Sequence, residues 1–372
     1  MKRTRFELDA ISRASWDELV GRDFYSSANW LDFCATEHGG VVDAVVVGNG
    51  AAEVAVPLFS GADLAGSPYD WNAELTSRSL PTLPTGDLVV GPREGYQTRL
   101  LRATPAPTPG AITQLLTELR ARAADEACVA MYLTTEDVRL FRAAGVPAPA
   151  VLLECDAWLP VPDGGFDAWL AVLPSKRRTS VRKEMAAFTA AGYRIQRLPL
   201  RECSTAIAPL AVRTESKYGH DYDTAEDLAT FRNHERCLGD AAMVALCTLD
   251  DTPVGFCLYY VWRDTIFLRW TGFDYPRLRN AYEYFNLLYY EQVRWAAERG
   301  IRWIHAGLKA AKAKVSRGAI IRPLWLLDLG ATSPLTDAEH AVHEHNTAFL
   351  DELFADSTVA RGIADRAEWL AR

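Results

Sequence analysis

The sequence of 372 residues lacks several features that mark common protein classes. No apolar run reaches the ~20 residues that a membrane-spanning helix needs, and the opening segment, Met1-Lys-Arg-Thr-Arg-Phe6, has no apolar core of a signal peptide. The seven cysteines are scattered, at positions 34, 128, 155, 203, 237, 247 and 257, without a CxxC pair. We therefore expect free, buried cysteines and a soluble protein of the reducing cytoplasm.

Motifs of several enzyme classes are also missing. There is no G-x-S-x-G element that would place a nucleophilic serine on a strand-to-helix turn. His340, His343 and His345 lie on one predicted acidic helix, but they lack a convincing ligand set, so we expect no metal site. The formal net charge of −8 argues against a protein that coats nucleic acid in general.

The negative charge is unevenly distributed along the chain. Residues 1–155 carry a net charge of −7 and residues 333–372 carry −5. Residues 156–332 instead hold 20 acidic and 24 basic residues, a net charge of +4. The middle block is therefore the part of the chain where a polyanion could dock.

The stretch from Thr265 to Leu329 predicts a β-α-β unit. A strand at 265–271 precedes a helix over Leu278–Arg299, which Gly300 ends before a short strand at 301–305. Apolar residues of this helix recur at helical spacing, as at Ala281, Phe285, Leu288 and Trp295. The two strands should be neighbours in a sheet that the helix covers on one face.

No acidic residue occurs from Arg299 to Leu327. Gly307 and Gly318 enclose the densest part of this acid-free run, which holds Lys309, Lys312, Lys314 and Arg317 and precedes an apolar strand over 319–329. Basic residues without acidic neighbours at the mouth of a β-α-β unit indicate an anion site. A solvated basic turn is the alternative interpretation.

A second basic segment opens a predicted helix over Ser175–Gly192. Ser175 can cap it, Gly192 can end it, and its first turns carry the cations Lys176, Arg177, Arg178, Arg182 and Lys183. Cations at a helix N-terminus oppose the helix dipole, whereas a bound phosphate would reverse that effect. The segment is therefore either a phosphate site or an ordinary solvated surface.

The first half of the sequence alternates predicted helices and strands, beginning with a strand near Arg5–Asp9. Residues 61–110 are rich in Gly, Pro, Ser and Thr, and an irregular stretch of this length suggests a functional loop. It contains Ser67-Pro-Tyr-Asp-Trp-Asn72, in which Tyr69, Asp70 and Trp71 are candidates for substrate binding. A packed surface loop explains the same residues equally well.

The second half carries a resemblance to a known family. Its predicted order from Tyr193 is strand, helix, helix, three strands, helix, strand, which is the order of a GNAT-type acyltransferase core. The opening Leu-Pro-Ser-Lys-Arg-Arg of the basic helix, its Ala-Gly-Tyr close and the later Lys-x-x-x-Gly resemble the second half of Fem-type aminoacyltransferases. The resemblance covers about 156–330 well and 1–155 by element order alone, and the long coiled-coil arm of some members is absent.

The resemblance implies an α/β (α+β) fold with two tandem GNAT-like subdomains, whose mixed sheets are flanked by helices. We expect an N-terminal subdomain over 1–149, a C-terminal subdomain over 150–332 and an acidic helical tail over 333–372. Such enzymes move an aminoacyl group from aminoacyl-tRNA onto an amine of a peptide or small molecule. Aminoacyl-tRNA would then be the co-substrate, without a further cofactor.

Candidate site residues follow from these features. Lys314 takes the place of the family's lysine near the reaction centre, and we assign it and His305 to catalysis. The candidates for substrate binding are Tyr69, Asp70, Trp71, Trp270, Asp274, Tyr282, Asn286 and Arg317. The candidates for phosphate or tRNA binding are Lys176, Arg177, Arg178, Arg182, Lys309 and Lys312.

Two other functions stay open at this point. A CoA-dependent GNAT N-acyltransferase would need fixed N–H groups around a pyrophosphate, but the turn Pro276–Tyr282 contains no glycine to let the backbone approach. A tandem-GNAT protein without catalytic activity would bind tRNA or a partner and leave no open, deep cleft beside Lys314.

Overall fold

The computed structural model describes residues 11–49, 51–61, 63–124, 126–219 and 223–370, so the strand expected near Arg5–Asp9 lies outside the described residues. The chain divides into two compact units. Unit 1 comprises the residues up to Asp156 together with those from Ile321 onward, and unit 2 comprises Ala157–Ile320.

The first part of the described chain alternates helices and strands, as the sequence predicts. Its second helix is capped by Ser27, whose hydroxyl accepts a hydrogen bond from the Trp30 N–H at 3.3 Å. The elements are α1 (Arg13–Val20), α2 (Ala28–His38), β1 (Val41–Val47), β2 (Val54–Ser60), α3 (Trp71–Ser77), β3 (Val89–Val90), β4 (Leu101–Arg102), α4 (Pro109–Ala123), β5 (Val129–Leu133), α5 (Thr135–Ala143) and β6 (Val151–Pro160).

The middle part holds the elements of unit 2. They are α6 (Gly165–Val172), α7 (Ser175–Ala190), β7 (Arg194–Pro199), α8 (Ser204–Lys217), α9 (Thr224–Leu238), β8 (Ala242–Leu249), β9 (Thr252–Trp262), β10 (Thr265–Phe273), α10 (Glu283–Phe285), α11 (Glu291–Glu298), β11 (Trp303–His305) and α12 (Ala311–Val315). A π-helical turn, Asn286–Tyr290, joins α10 to α11. The last part adds β12 (Ile320–Asp328), α13 (Pro334–Asp337), α14 (Glu339–Ala355) and α15 (Ser357–Ala360).

Unit 1 is built on a mixed sheet. Strands β1 and β2 pair antiparallel, β3 joins β2 antiparallel and β5 parallel, and β12 pairs antiparallel with β5. These strands consist mainly of buried apolar residues, and α4 contributes Leu115, Leu116 and Leu119, each at most 1 % exposed. Burial of such side chains is the main stabilising term of this unit.

The C-terminal tail belongs to unit 1 and is not a separate segment. Strand β12 pairs with β5, and the Asn346 side chain on α14 donates to the Ala150 carbonyl and accepts from the Leu152 N–H, at 2.9 and 2.8 Å. The His345 ring also bonds to the Leu152 carbonyl, at 2.8 Å. The two compact units meet at 156/157 and 320/321, whereas the sequence predicts boundaries at 149/150 and 332/333, because long-range pairing joins segments far apart in sequence.

Unit 2 has the order that the sequence predicts. Strands β7, β8, β9 and β10 form an antiparallel sheet, β11 pairs parallel with β10, and the end of β6 pairs antiparallel with β11. Helices α8 and α9 lie between β7 and β8 in the chain. The ladder between β9 and β10 shifts register between Leu268 and Trp270, which marks a bulge in β10.

The helix expected over Leu278–Arg299 begins only at Glu283. Before it, Asn280 and Tyr282 have left-handed backbones with φ of 56° and 62°, so the chain turns where the apolar pattern predicted helix. Hydrophobic periodicity reports which side chains are buried, but it does not reveal two left-handed residues. The expected cap of α7 is also wrong, since Ser175 is its first residue and makes no capping bond.

Within the described part of the chain, no helix is both long enough and apolar enough to cross a bilayer.

Candidate active site

Lys314 lies on the short helix α12 and is 4 % exposed. Its ammonium donates to the carbonyls of Gly307 and Leu308, at 2.9 and 2.5 Å. The loop between β11 and α12 holds three left-handed residues in a short span, Gly307, Lys309 and Ala310, with φ of 69°, 59° and 51°. For residues other than glycine this conformation raises the free energy of the backbone. The two hydrogen bonds of the Lys314 ammonium therefore hold a strained loop in place.

Arg317, predicted to bind substrate, lies in the core at 2 % exposure. Its guanidinium sits 3.4 Å from the ring centroid of Phe285 and donates to the Ala313 carbonyl at 2.8 Å. Burial lowers its pKa below the ordinary arginine value, and the neighbouring Tyr290 hydroxyl opposes that shift. The arrangement fixes the end of α12 against the turn that follows α10.

Glu184 holds this buried cation in place, and sequence reasoning missed it. Its carboxylate lies 3.5 Å from Arg317 and 3.4 Å from Arg177, and it accepts a hydrogen bond from the Tyr290 hydroxyl. Asn286 donates to the Glu184 main-chain carbonyl at 3.3 Å. The sequence does contain a feature that marks Glu184, because it is the one acidic residue among the cations of the basic helix.

His305 ends β11 and is 1 % exposed. Its ring packs 4.7 Å from the ring of Trp158 and 5.5 Å from that of Phe267, between centroids. The residue therefore directly precedes the loop that Lys314 pins, and its ring lies in an aromatic layer of unit 2.

The turn before α10 brings an acid to the start of the helix. Glu283 is 5 % exposed, and its Oε1 accepts from the Arg279 N–H at 3.0 Å and from the Tyr193 hydroxyl at 2.6 Å. Tyr193 in turn accepts from the Arg279 N–H at 2.8 Å, and burial raises the pKa of its phenol. A carboxylate thus lies at the helix N-terminus, where a phosphate-binding protein would present free N–H groups.

The other candidates of unit 2 lie in different surroundings. Trp270 is half-buried beside the β10 bulge, with its ring 4.9 Å from that of Phe231. Asp274 is 8 % exposed and forms ion pairs with Arg213 and, at 3.6 Å, with Arg277. Tyr282 is 42 % exposed. Asn286, at 1 % exposure, is buried and bonds to the Tyr282 carbonyl at 3.0 Å.

The cations of the basic helix differ in what they can reach. Lys176 and Arg182 are exposed on α7. Arg177 is turned toward Glu184, and Arg178 donates to the carbonyls of Leu173 and Ala171, at 2.7 and 3.3 Å. Lys309 and Lys312, in the later basic segment, are also exposed.

The aromatic cluster of the irregular loop folds as the start of helix α3 in unit 1. Asp70 is its N-cap and accepts from the Ala73 N–H at 3.0 Å. Tyr69 is 2 % exposed and accepts from the Tyr96 N–H at 3.1 Å, and Trp71 is 3 % exposed. Burial raises the pKa of Tyr69 well above its ordinary value. These contacts are the ones expected of a packed loop, the second of the two interpretations of this segment.

Comparison with known proteins places the chain in a family. A search of the curated proteins finds no match, but residues 90–354 match the FemAB-like family, described as peptidoglycan biosynthesis/recognition.

Solved structures agree on the fold. A conserved protein of unknown function from Bacteroides thetaiotaomicron has a TM-score of 0.58 at 13 % identity, covering 88 % of this chain and 99 % of that one. FemX has a TM-score of 0.57 at 13 % identity, covering 86 % and 95 %. The C-terminal domain of a putative lysylphosphatidylglycerol synthetase from Agrobacterium fabrum has a TM-score of 0.52 at 10 % identity, covering 89 % and 97 %. The expected mixed α/β fold is confirmed by its likeness to these structures, and the chain belongs to the FemAB-like family.

Proposed function

We propose that this protein transfers an aminoacyl group from an aminoacyl-tRNA to an amine of a peptide or small-molecule acceptor, forming an amide. Membership of the FemAB-like family and the shared fold with FemX support an acyl transfer of this kind. Aminoacyl-tRNA acts as the co-substrate, and the transfer needs no further cofactor because its ester bond is already activated.

The observation that carries this choice of donor is the carboxylate of Glu283 at the start of α10. Acyl-CoA would need a cradle of backbone N–H groups for its pyrophosphate near a helix N-terminus. Here the Glu283 carboxylate already takes the Arg279 N–H at 3.0 Å, and its negative charge opposes a phosphate group. The turn also lacks glycine from Pro276 to Tyr282, so a side chain stands at every position.

The reaction requires little from the protein beyond positioning and charge stabilisation. The amine must be held in line with the ester carbonyl, lose a proton, and attack a carbon whose oxygen becomes negative. Lys314 supplies an ammonium group for this oxyanion and for the departing ribose oxygen. Two of its three N–H donors fix the loop through Gly307 and Leu308, which would hold the group in one orientation.

His305 has a supporting role in this proposal. Its ring is packed against Trp158 and Phe267 at the end of β11, so it fixes the start of the loop that Lys314 pins. Arg317 and Glu184 support the other end of α12 in the same way, through their mutual contact at 3.5 Å.

Exposed cations of unit 2 would contact the tRNA backbone. Lys176 and Arg182 on α7, and Lys309 and Lys312 beside Lys314, are exposed. Phosphate contacts of this kind supply affinity without sequence readout and weaken as salt rises. Two separate basic segments suit an acceptor stem better than a compact nucleotide.

A transfer assay tests the proposal. The purified protein is incubated with a panel of radiolabelled aminoacyl-tRNAs and with hydroxylamine as a small general acceptor, and acetyl-CoA replaces the tRNA in a parallel series. We expect aminoacyl hydroxamate above the rate without protein for at least one aminoacyl-tRNA. Acetyl transfer from CoA with no aminoacyl transfer would contradict the proposal and assign the protein to the CoA-dependent class.

A further inference from the structure

Two carboxyl groups meet in the interior of unit 2 beside the β10 bulge. Glu215, near the end of α8, and Asp227, in the first turns of α9, lie close enough for each carboxyl group to affect the pKa of the other. The side chain of Trp270, on β10, lies beside Glu215. The neighbouring Thr214 hydroxyl accepts from the Phe273 N–H at 2.9 Å, so α8 is fixed to β10 at this level.

The pair has no compensating cation among the described residues. Asp227 is 3 % exposed, yet its Oδ2 has no hydrogen-bond partner, and neither has Oε2 of Glu215. The other charged groups that influence the pair are acids too, Glu226 and Asp223. Buried carboxylates in proteins are normally paired or fully hydrogen-bonded. Here two carboxylate oxygens lack a hydrogen-bond donor.

The protonation of the pair agrees with this geometry. Burial, followed by the charge of Asp227, raises the pKa of Glu215 to about 7. Burial also raises the pKa of Asp227 to about 6, with Glu226 and Asp223 adding to the shift. Near neutral pH the pair can therefore take up and release a proton, which is the property that a general base requires.

We propose that Glu215 and Asp227 form the binding site for the acceptor's ammonium group and take up its proton before attack. This proposal rests on the proposed function, because an amine is the nucleophile of that reaction. An ammonium group has three N–H donors, and two of them match the two carboxylate oxygens that lack a hydrogen-bond partner. The half-buried face of Trp270 beside Glu215 is a suitable surface for a cation.

The ammonium R–NH₃⁺ gives one proton to the carboxylate pair and becomes R–NH₂. The nitrogen lone pair then forms the C–N bond to the ester carbon, and the C–O bond to the ribose breaks. The second nitrogen proton passes to the ribose oxygen, which leaves as a hydroxyl. The product is a neutral amide, and the pair returns to its starting state when its proton passes to water.

The first experiment measures binding without any transfer reaction. The indole N–H resonance of Trp270 is assigned with Trp270→Phe, and uniformly ¹⁵N-labelled protein is titrated with propylammonium chloride at neutral pH. We expect this resonance to shift in the wild type, and 1-propanol, which carries no positive charge, to leave it in place. Glu215→Gln and Asp227→Asn should abolish the shift. Asp251→Asn removes a carboxylate that is 90 % exposed on the β8–β9 turn, and it should respond as the wild type does.

The second experiment measures transfer from aminoacyl-tRNA to propylamine, which is protonated at neutral pH, and to hydroxylamine, which is largely uncharged. We expect Glu215→Gln to lower transfer to propylamine roughly 100-fold, the usual contribution of a general base, and to lower hydroxamate formation by a smaller factor. Asp251→Asn is the control that should leave both transfers unchanged. In the wild type, transfer to propylamine should fall as the pH drops below about 7 with Glu215 protonation.

The outcomes separate this inference from the proposed function. If wild-type protein forms no hydroxamate with any aminoacyl-tRNA but the Trp270 resonance responds to propylammonium, the donor assignment fails and the ammonium site stands. The ammonium site is overturned, whatever the donor, if the resonance does not respond to propylammonium. It is also overturned if Glu215→Gln lowers the rates of transfer to propylamine and to hydroxylamine by the same factor.

Discussion

Replacement of Lys314 by alanine has two measurable consequences, one for stability and one for catalysis. The wild-type ammonium, 4 % exposed, donates to the Gly307 and Leu308 carbonyls. Hydrogen bonds to charged groups contribute about 1.5–3 kcal/mol each. Removing the buried ammonium also removes its desolvation cost, so we expect a net destabilisation of about 2–4 kcal/mol. For a unit of this size, this corresponds to a fall in Tm of roughly 5–15 °C.

The catalytic consequence follows from the proposed oxyanion contact. Loss of one such donor lowers kcat by roughly 10²–10³. Thermal denaturation first establishes that the variant is folded at 10 °C, and transfer to hydroxylamine is then measured at this temperature. Lys314→Met retains the apolar stem without the donors and serves as a second variant, because it leaves a smaller cavity. Wild-type kcat in a folded variant with a lowered Tm would refute the catalytic role and leave Lys314 as a loop anchor alone.

Three further predictions concern charge. Reversal of Lys176 and Arg182 to glutamate should weaken tRNA binding and reduce the slope of log affinity against log salt by roughly 2; in filter-binding assays the exposed Arg194→Glu is the control, and an unchanged slope would contradict the phosphate contacts. Calorimetry with acetyl-CoA should show no binding, whereas a stoichiometric isotherm with acetyl transfer would contradict the donor assignment. The raised pKa of Glu215, about 7 against 4.5, means that the folded state holds its proton more tightly. Its contribution to stability is therefore lost as the pH rises between these values. Glu215→Gln should flatten this part of the stability profile in urea titrations, and a profile equal to the wild type's would refute the buried carboxyl pair.

The helices and strands of unit 2 could be predicted from the amino-acid pattern alone. The order from β7 to β11 could be predicted because apolar spacing distinguishes helix from strand, and glycines such as Gly192 and Gly300 mark where helices end. The acid-free run also identified Lys314 and Arg317 as unusual residues. Such signals are local, since each depends on residues that are neighbours in the chain.

The contacts of those residues depend on the fold in three dimensions and could not be predicted from the amino-acid pattern. Lys314 pins a strained loop, Arg317 lies under Phe285, and the cluster at Tyr69–Trp71 packs as a helix cap. The tail joins unit 1 through the hydrogen bonds of Asn346 and His345 with the main chain of Ala150 and Leu152, far away in sequence. The meeting of Glu215 with Asp227 was equally invisible, because neither acid stands out in composition. Burial and the lack of a compensating cation give that pair its chemistry, and both are properties of packing in three dimensions.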